Sequence, residues 1–310
     1  MPEPAARGVV AVVVTFRPDV AVTSVLLRAL APQVEHLVLV DNGSDAATVE
    51  ALRAELATVD GELVALGTNL GIAEAQNRGI ERARALGARA VLLSDQDSVP
   101  AGDMVERLVA GLARARAEHG PVAAVGPVTV DERNTGAALL FSDRRWGPRR
   151  AEVPADDGAL VPATFLIASG CLVDVAALDA VGTMNAAWFI DHIDLEWGLR
   201  ARRAGYGLYG VVGARLGHAL GDRVQRIPGR ERDVHIHSPV RNYYMARNTV
   251  LLMRSGLLPV AWRVGYLAWI TKYSAFYVLA VAPRGPRARL LARGLVDGVR
   301  GRTGPIREGR

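Results

Sequence analysis

Four short apolar runs, each ending in polar turn residues, constrain this chain more than any other feature. Gly8 to Phe16 is almost all Val and Ala and ends at Thr15-Phe16-Arg17-Pro18-Asp19. His36 to Val40 breaks at Asp41-Asn42-Gly43-Ser44. Gly61 to Leu66 leads into Gly67-Thr68-Asn69-Leu70-Gly71, and Val91 to Leu93 into Ser94-Asp95-Gln96-Asp97. Such runs are strands buried on both faces. Helices are expected between them, from a cap at Asp19 through Leu30, from Thr48 to Leu56 and from Ile72 to Leu86. This alternation predicts an α/β fold with a Rossmann-like, doubly wound and mostly parallel sheet.

Side chains alternate along a strand, so Asp95 and Asp97 face one way and Gln96 the other. Open α/β sheets bind ligands beyond the carboxyl ends of their strands. Two carboxylates there make a hard oxygen site suited to Mg²⁺ or Mn²⁺ and to a diphosphate. The same acids could instead cap a helix near Ala101. Asp41, at the second strand end, could grip a ribose or base, or simply close its turn. The first strand is not followed by Gly-x-Gly-x-x-Gly, and no Walker-type lysine occurs, which disfavours a dinucleotide fold and a P-loop.

After Gly126-Pro127 the pattern changes. Residues 131–160 read as an irregular excursion or hairpin, Val161 to Ile167 as a strand, and Ala168-Ser169-Gly170-Cys171 as a small-residue approach to a ligand. Val175 to Val181 is a short helix. A further helix is expected from Asp191 or His192 to Gly205, with Asp191, Asp194 and Glu196 in its first turns. The helix dipole favours acids there. Spacing by three puts Asp191 and Asp194 on one face, and two acids exceed what a cap needs, which points to a general base. Gly205 to Val212 reads as an edge strand. His218, in a Gly-rich loop after it, could be a third metal ligand or a phosphate contact. The helix opening at Arg241 carries Tyr243, Tyr244 and Arg247, which are either diphosphate donors or an amphipathic face. Leu257 to Ala282 is apolar and aromatic but interrupted by Arg263 and Lys272. It suits a helix lying in a membrane interface, or a helix pair packed on the domain.

Charge and cysteine narrow the class. The net charge is +5, but Arg284 to Arg310 carries eight arginines against Asp297 and Glu308, leaving residues 1–283 at −1. The high pI thus belongs to the end of the chain and gives no support for a nucleic-acid-binding core. The single cysteine, Cys171, excludes an intrachain disulfide and a Cys-based zinc site. With no signal-peptide pattern and no apolar run long enough to span, a cytoplasmic protein is expected, peripheral at most on the inner face of the cell membrane.

Together these stretches resemble family-2 glycosyltransferases of the GT-A fold, with the closest similarity to bacterial rhamnosyltransferases that use dTDP-L-rhamnose. The resemblance runs from about Val9 to Arg254. It rests on Val-Val-Thr-Phe at 13–16, Leu-Val-Asp-Asn-Gly-Ser at 39–44 and Asn-Leu-Gly-Ile-Ala-x-Ala-x-Asn-x-Gly at 69–79. It continues through Ser-Asp-Gln-Asp at 94–97, Phe-Ile-Asp-His-Ile-Asp-Leu-Glu-Trp at 189–197, Arg-Ala-Gly-Tyr at 203–206 and Arg-Asn-Tyr-Tyr-x-x-Arg-Asn at 241–248. It implies a donor site in which Thr15, Phe16 and Arg17 line the base pocket and Asp41 binds base or ribose. Asn69, Gly71 and Asn77 would shape the nucleoside–diphosphate wall. Asp95 and Asp97 would hold the sugar nucleotide through Mg²⁺ or Mn²⁺, with Gln96 among the donor contacts, His218 as helper and Arg247 on the diphosphate. The family's base maps to Asp194, with Asp191 a rival because Ile193 replaces the usual preceding acid. The implied reaction is inverting transfer to a glycan or polyprenyl-linked acceptor. The implied layout is a domain over 1–255, divided near 130 into a nucleotide-binding half and an acceptor half. An amphipathic helical segment at 256–283 and an Arg-rich tail at 284–310 would follow.

Overall fold

The computed structural model describes residues 6–128, 139–218, 224–225 and 234–307. The first half runs β1 (Val9–Thr15), α1 (Val20–Leu30), β2 (His36–Asp41), α2 (Ala46–Ala57), β3 (Glu62–Ala65), α3 (Ile72–Ala85), β4 (Ala90–Asp95), β5 (Ser98–Pro100), α4 (Met104–His119) and β6 (Val122–Pro127). The second half adds β7 (Phe141–Ser142), β8 (Arg149–Arg150), β9 (Leu160–Pro162), β10 (Cys171–Asp174), α5 (Val175–Val181), α6 (Ile193–Arg203), β11 (Gly207–Val211) and β12 (Leu216–His218). The short strands β13 (Val224–Gln225) and β14 (Val234–His235) precede α7 (Pro239–Arg254), α8 (Val260–Ala280) and α9 (Arg284–Val299).

Eight of these strands form one sheet in the order β3-β2-β1-β4-β10-β6-β11-β9. β1, β2, β3 and β4 are mutually parallel, and β11 runs parallel to β6. All seven residues of β1 are buried, as a strand covered on both faces requires. The period of two decides which face each residue serves. Val10, Val12, Val14 and Val91 pack with Ala73, Ile80 and Ala83 of α3. Val9, Ala11, Val13 and Leu92 pack with Leu26 and Leu27 of α1, Leu52 of α2 and Leu108 of α4. The doubly wound, mostly parallel sheet is therefore present, with helices on both faces.

The second half departs from the sequence reading. The strand expected over Val161–Ile167 is only β9, and an inner strand, β10, occupies Cys171–Asp174. β10 inserts antiparallel between β4 and β6. Three buried residues between two neighbours, Cys171 to Val173, carry no alternation to read, which is why the sequence shows only a small-residue turn there. β11 is not the edge, because β9 pairs along its outer side. β5 intervenes before α4, so the helix starts at Met104 rather than near Ala101. The Arg-rich end is not a loose tail. α9 packs on α7, burying Arg287, Leu291, Gly294, Asp297 and Gly298.

Candidate active site

The carboxyl ends of β1 and β4, the loop before α3 and the turn before α6 enclose a cleft of about 700 Å³. Register explains why these groups meet. Val14 of β1 pairs with Asp95 of β4, and Thr15 with Asp41 of β2, so three polar strand ends share one rim. Phe16, Asn69, Gly71, Asp95, Gln96, Asp97, Asp191 and Asp194 all line the cleft. Asp95 and Asp97 border one space, so a cation could bridge them to an anionic ligand.

Not every expected residue faces that space. Asp41 is fully buried, and its oxygens accept from the Thr15 hydroxyl, the Gly43 and Ser44 amides and the Ser44 hydroxyl. This is the turn-closing role open to it from sequence. Asn77 sits outside the cleft lining, donating to Met184 O and accepting from Met184 N, both at 2.9 Å. It pins α3 to the loop before the 3-10 turn Ala186–Trp188. Gln96 does not turn away from the site, because its Oε1 accepts from the Phe16 amide at 2.8 Å and ties β4 to the end of β1. Arg17 stands just behind, its guanidinium 5.1 Å over the Phe16 ring.

The turn before α6 is the least regular part of the site. Asp191 and His192 have φ of +69° and +62°, so α6 begins at Ile193 and not at either of them. Left-handed residues without glycine need support from outside. Asn248 Nδ2 supplies it by donating to Trp188 O, Ile190 O and Asp191 O at 2.7–3.0 Å. Arg247 is fully buried and donates to Trp188 O at 2.8 Å and to Gly304 O at 2.5 Å. Its guanidinium also lies 4.9 Å over Tyr244. This corrects the expected diphosphate contact, because the donors of Arg247 are spent on two backbone carbonyls and on Asn248 Oδ1, and it does not line the cleft. The arginine that does line it is Arg241, one helical stretch earlier, held 2.7 Å from Asp191. Its place in the same Arg-Asn-x-x-x-x-Arg-Asn repeat was visible in the sequence. What the sequence could not show is which arginine the helix turns outward.

The two rival acids are thereby separated. Asp191 is buried and spends one oxygen on Arg241, while its Oδ2 has no hydrogen-bond partner. Among the described residues, Asp194 is held by the Ala168 amide, at 3.1 Å on Oδ2. Burial, then the negative charge of Asp95, push its carboxyl up to about 7, against the opposing pull of that amide. Glu196 is buried beside Arg200 at 2.9 Å and is not part of the lining. Cys171 is buried with its thiol pushed up, chiefly by burial, and is not a nucleophile candidate.

Gly71 has φ of +91°, and a Cβ there would sit 2.6 Å from Phe189 O. The Ile72 amide donates to that same carbonyl at 2.8 Å, joining the donor wall to the acid-bearing turn. Gly71→Ala is expected to destabilise the fold by about 2–4 kcal/mol, from combined strain and clash. Urea unfolding checks this; an unchanged midpoint would show the two loops to be uncoupled.

His218 lies on β12, not in a loop, and its backbone pairs with Ser98, next to Asp97. Its side chain is outside the described residues. Among the described residues, no group of three or more His, Cys, Asp or Glu gathers to hold a metal.

Known proteins resemble this chain in sequence and in fold. The chain is 28% identical over 298 residues to the dTDP-rhamnosyl transferase RfbF of Shigella flexneri, covering 96% of this chain and 97% of that one. It is 28% identical over 252 residues to the galactofuranosyltransferase GlfT1 of Mycolicibacterium smegmatis, covering 77% and 81%. The crystal structure of GalNAc-T7 with UDP, GalNAc and Mn²⁺ superposes with a TM-score of 0.58 at 12% identity, over 89% of this chain. The chain spans 58% of that protein's length, and the likeness shows the shared GT-A fold. The model of glycosyl transferase family 2 matches residues 17–182, more than half of the sequence, and the chain belongs to that family.

Proposed function

We propose that this glycosyltransferase moves L-rhamnose from dTDP-rhamnose, with inversion, to a hydroxyl of a glycan or polyprenyl-linked acceptor in cell-envelope polysaccharide synthesis. The observation that carries the reading is the single cleft shared by Asp95, Asp97 and Asp194. The near-full-length similarity to a dTDP-rhamnosyl transferase supports the donor. The similarity to the galactofuranosyltransferase GlfT1 favours a second reading, the same chemistry with a different nucleotide sugar as donor.

In this reading the donor base lies against Phe16, and Arg241 meets the diphosphate. Asp194 takes the proton of the acceptor hydroxyl. The freed oxygen attacks the anomeric carbon, and the bond to the diphosphate breaks with its electron pair leaving on the nucleotide. A carboxyl near 7 suits this task, because it is ionised enough to accept and basic enough to pull. Asp95 and Asp97 fit a divalent cation as a hard two-carboxylate donor set, the remaining ligands coming from diphosphate and water, as Mg²⁺ prefers. Such an ion would neutralise charge on the leaving group.

Titration calorimetry with dTDP-rhamnose and Mn²⁺ tests the reading. Metal-dependent binding by the wild type is expected, with affinity lowered at least about tenfold in Asp97→Ala, the loss of one charge-assisted contact. No metal-dependent binding by the wild type removes it, and preference for UDP-galactofuranose turns it to the second reading.

Among the described residues no helix is long and apolar enough to cross a membrane. We read α8 instead as a surface helix on the bilayer. Val260, Val264, Leu267 and Leu279 are 52–73% exposed along it, while Trp262, Ile270 and Tyr277 face inward. Apolar side chains flanked by Arg263 and Lys272 suit anionic lipid. Flotation with anionic vesicles is expected for the wild type and lost in the double variant Val264→Glu/Leu267→Glu. Equal flotation of both would leave the helix without that role.

A further inference from the structure

Asp194 and His192 border a second cavity of about 220 Å³, on which neither Asp95 nor Asp97 opens. Its walls are aromatic. Phe141 and Phe165 stack at 5.1 Å, Trp146 projects from the β7–β8 turn, and Tyr266 and Trp269 stand on α8. His192 meets Tyr266 and Trp269 edge-on, each at 6.1 Å between ring centroids. We propose that this chamber is the acceptor subsite and that it takes one pyranose ring, its apolar face on the aromatic walls and a ring hydroxyl at Asp194. The proposal rests on the glycosyltransferase reading above and adds the class of acceptor, a saccharide ring rather than a lipid phosphate.

Four observations converge on it. In-line displacement requires the base to touch the acceptor while the donor occupies another space. Of the residues named in the transfer, Asp194 is the one that lines both cavities. A pyranose carries apolar C–H groups on its faces and hydroxyls around its rim, so flat aromatic walls with a carboxylate at one end match it. The chamber is smaller than the roughly 300–1,000 Å³ of pockets for drug-sized ligands, as expected for a single ring.

The fourth observation is the polar group beside the acid. The Thr249 hydroxyl donates to Met245 O at 2.7 Å, so at its 2.8 Å contact with His192 it must accept. His192 Nε2 therefore carries a hydrogen, and the ring is neutral, because burial holds its pKa down near 4. A ring whose basicity is held down this far is a poor proton acceptor, which leaves Asp194 as the base among the residues lining the chamber.

The chamber also gives the C-terminal helices a task in the reaction. A Cβ at Gly265 of α8 would strike the backbone of Trp146, so the glycine lets the β7–β8 turn close the chamber. Trp262 Nε1 donates to Arg144 O at 2.9 Å and fixes the same turn from the other side.

The test uses full-length protein, dTDP-rhamnose with Mn²⁺, and methyl and octyl pyranosides of glucose, galactose, N-acetylglucosamine and rhamnose as acceptors. Released dTDP gives KM and kcat, and calorimetry gives donor affinity. The expected result is turnover of at least one pyranoside. Trp269→Ala and Tyr266→Ala should each raise its KM at least tenfold with donor Kd within twofold, and Trp269→Phe should restore most of the loss. Gly265→Leu should raise the same KM through the displaced turn. Unchanged KM in all three disrupting variants overturns the chamber and leaves the donor reading standing. So does donor hydrolysis by a wild type that turns over none of the pyranosides, or saturation of the chamber by octanol in place of methyl glycosides, which would mark a hydrocarbon pocket. Absence of donor binding by the wild type overturns the reading and the chamber together.

Discussion

Asp194→Asn is expected to lower kcat by about 10²–10⁴-fold, the usual contribution of a general base, while dTDP-rhamnose still binds. The amide keeps the shape and the contact with the Ala168 amide can persist, but it cannot take a proton. In the wild type, kcat should rise with pH through about 7, because only the ionised carboxylate is competent. A cation on Asp95 and Asp97 would relieve the repulsion from Asp95 but not the larger effect of burial. The variant's residual rate should lose that pH dependence. Stability gives an independent readout. The folded pKa lies above the ordinary carboxylate value of 3.8, so the folded state holds its proton longer. The stability from this group is fully present below about pH 4 and is lost as pH rises through about 7. Asp194→Asn should therefore be more stable than wild type at pH 8, by at most about 4 kcal/mol, and match it near pH 4. Urea unfolding at both pH values checks this, and a variant less stable at pH 8 would make Asp194 structural. A wild-type rate flat from pH 5.5 to 8.5 would move the proton to another group.

Arg247→Met and Arg241→Met should fail in opposite ways. Arg247 is buried with its donors on Trp188 O, Gly304 O and Asn248 Oδ1. Methionine removes the donors to Gly304 O and Asn248 Oδ1, leaves Trp188 O with Asn248 Nδ2 and the Ile190 amide, and loosens the left-handed turn that carries Asp191 and His192. A loss of about 2–4 kcal/mol of stability is expected, at about 1–2 kcal/mol for each of the two acceptors that lose this charged donor. Donor affinity should change little once the protein is folded. Arg241 is partly exposed and faces the cleft beside Asp191. Arg241→Met should cost at least about tenfold in donor affinity, as loss of a charge-assisted diphosphate contact does. Calorimetry and urea unfolding of both variants distinguish the outcomes. If Arg247→Met lost affinity with stability intact, the diphosphate role first read from the sequence would be restored.

The two arginines show where sequence reading stopped. Both stand in Arg-Asn-Tyr-Tyr-x-x-Arg-Asn, both are chemically fit for a diphosphate, and helical periodicity sets the angle between them. It does not set which side meets the cleft. That choice came from α9, whose Gly294 and Gly298 lie close against the backbone of α7 at Tyr243 and Arg247. Asp41 is a similar case, since its strand-end position is legible but the closure of its carboxylate by Ser44 is a local three-dimensional fact. The acids of the turn before α6 were legible as a pair, whereas their separation into an ion-paired Asp191 and a loosely held Asp194 was not.

By itself the sequence determined the first half of the sheet, its covering helices and the rim where Asp95 and Asp97 emerge. Those features follow from local periodicity and from turn residues within a few positions, which no distant contact overrides. Tertiary structure alone decided the antiparallel insertion of β10, the left-handed turn clamped by Arg247 and Asn248, and the meeting of β7–β8 with α8 around Asp194. Each depends on pairing between segments far apart in the chain, and burial there removes the polar–apolar alternation that would have marked it.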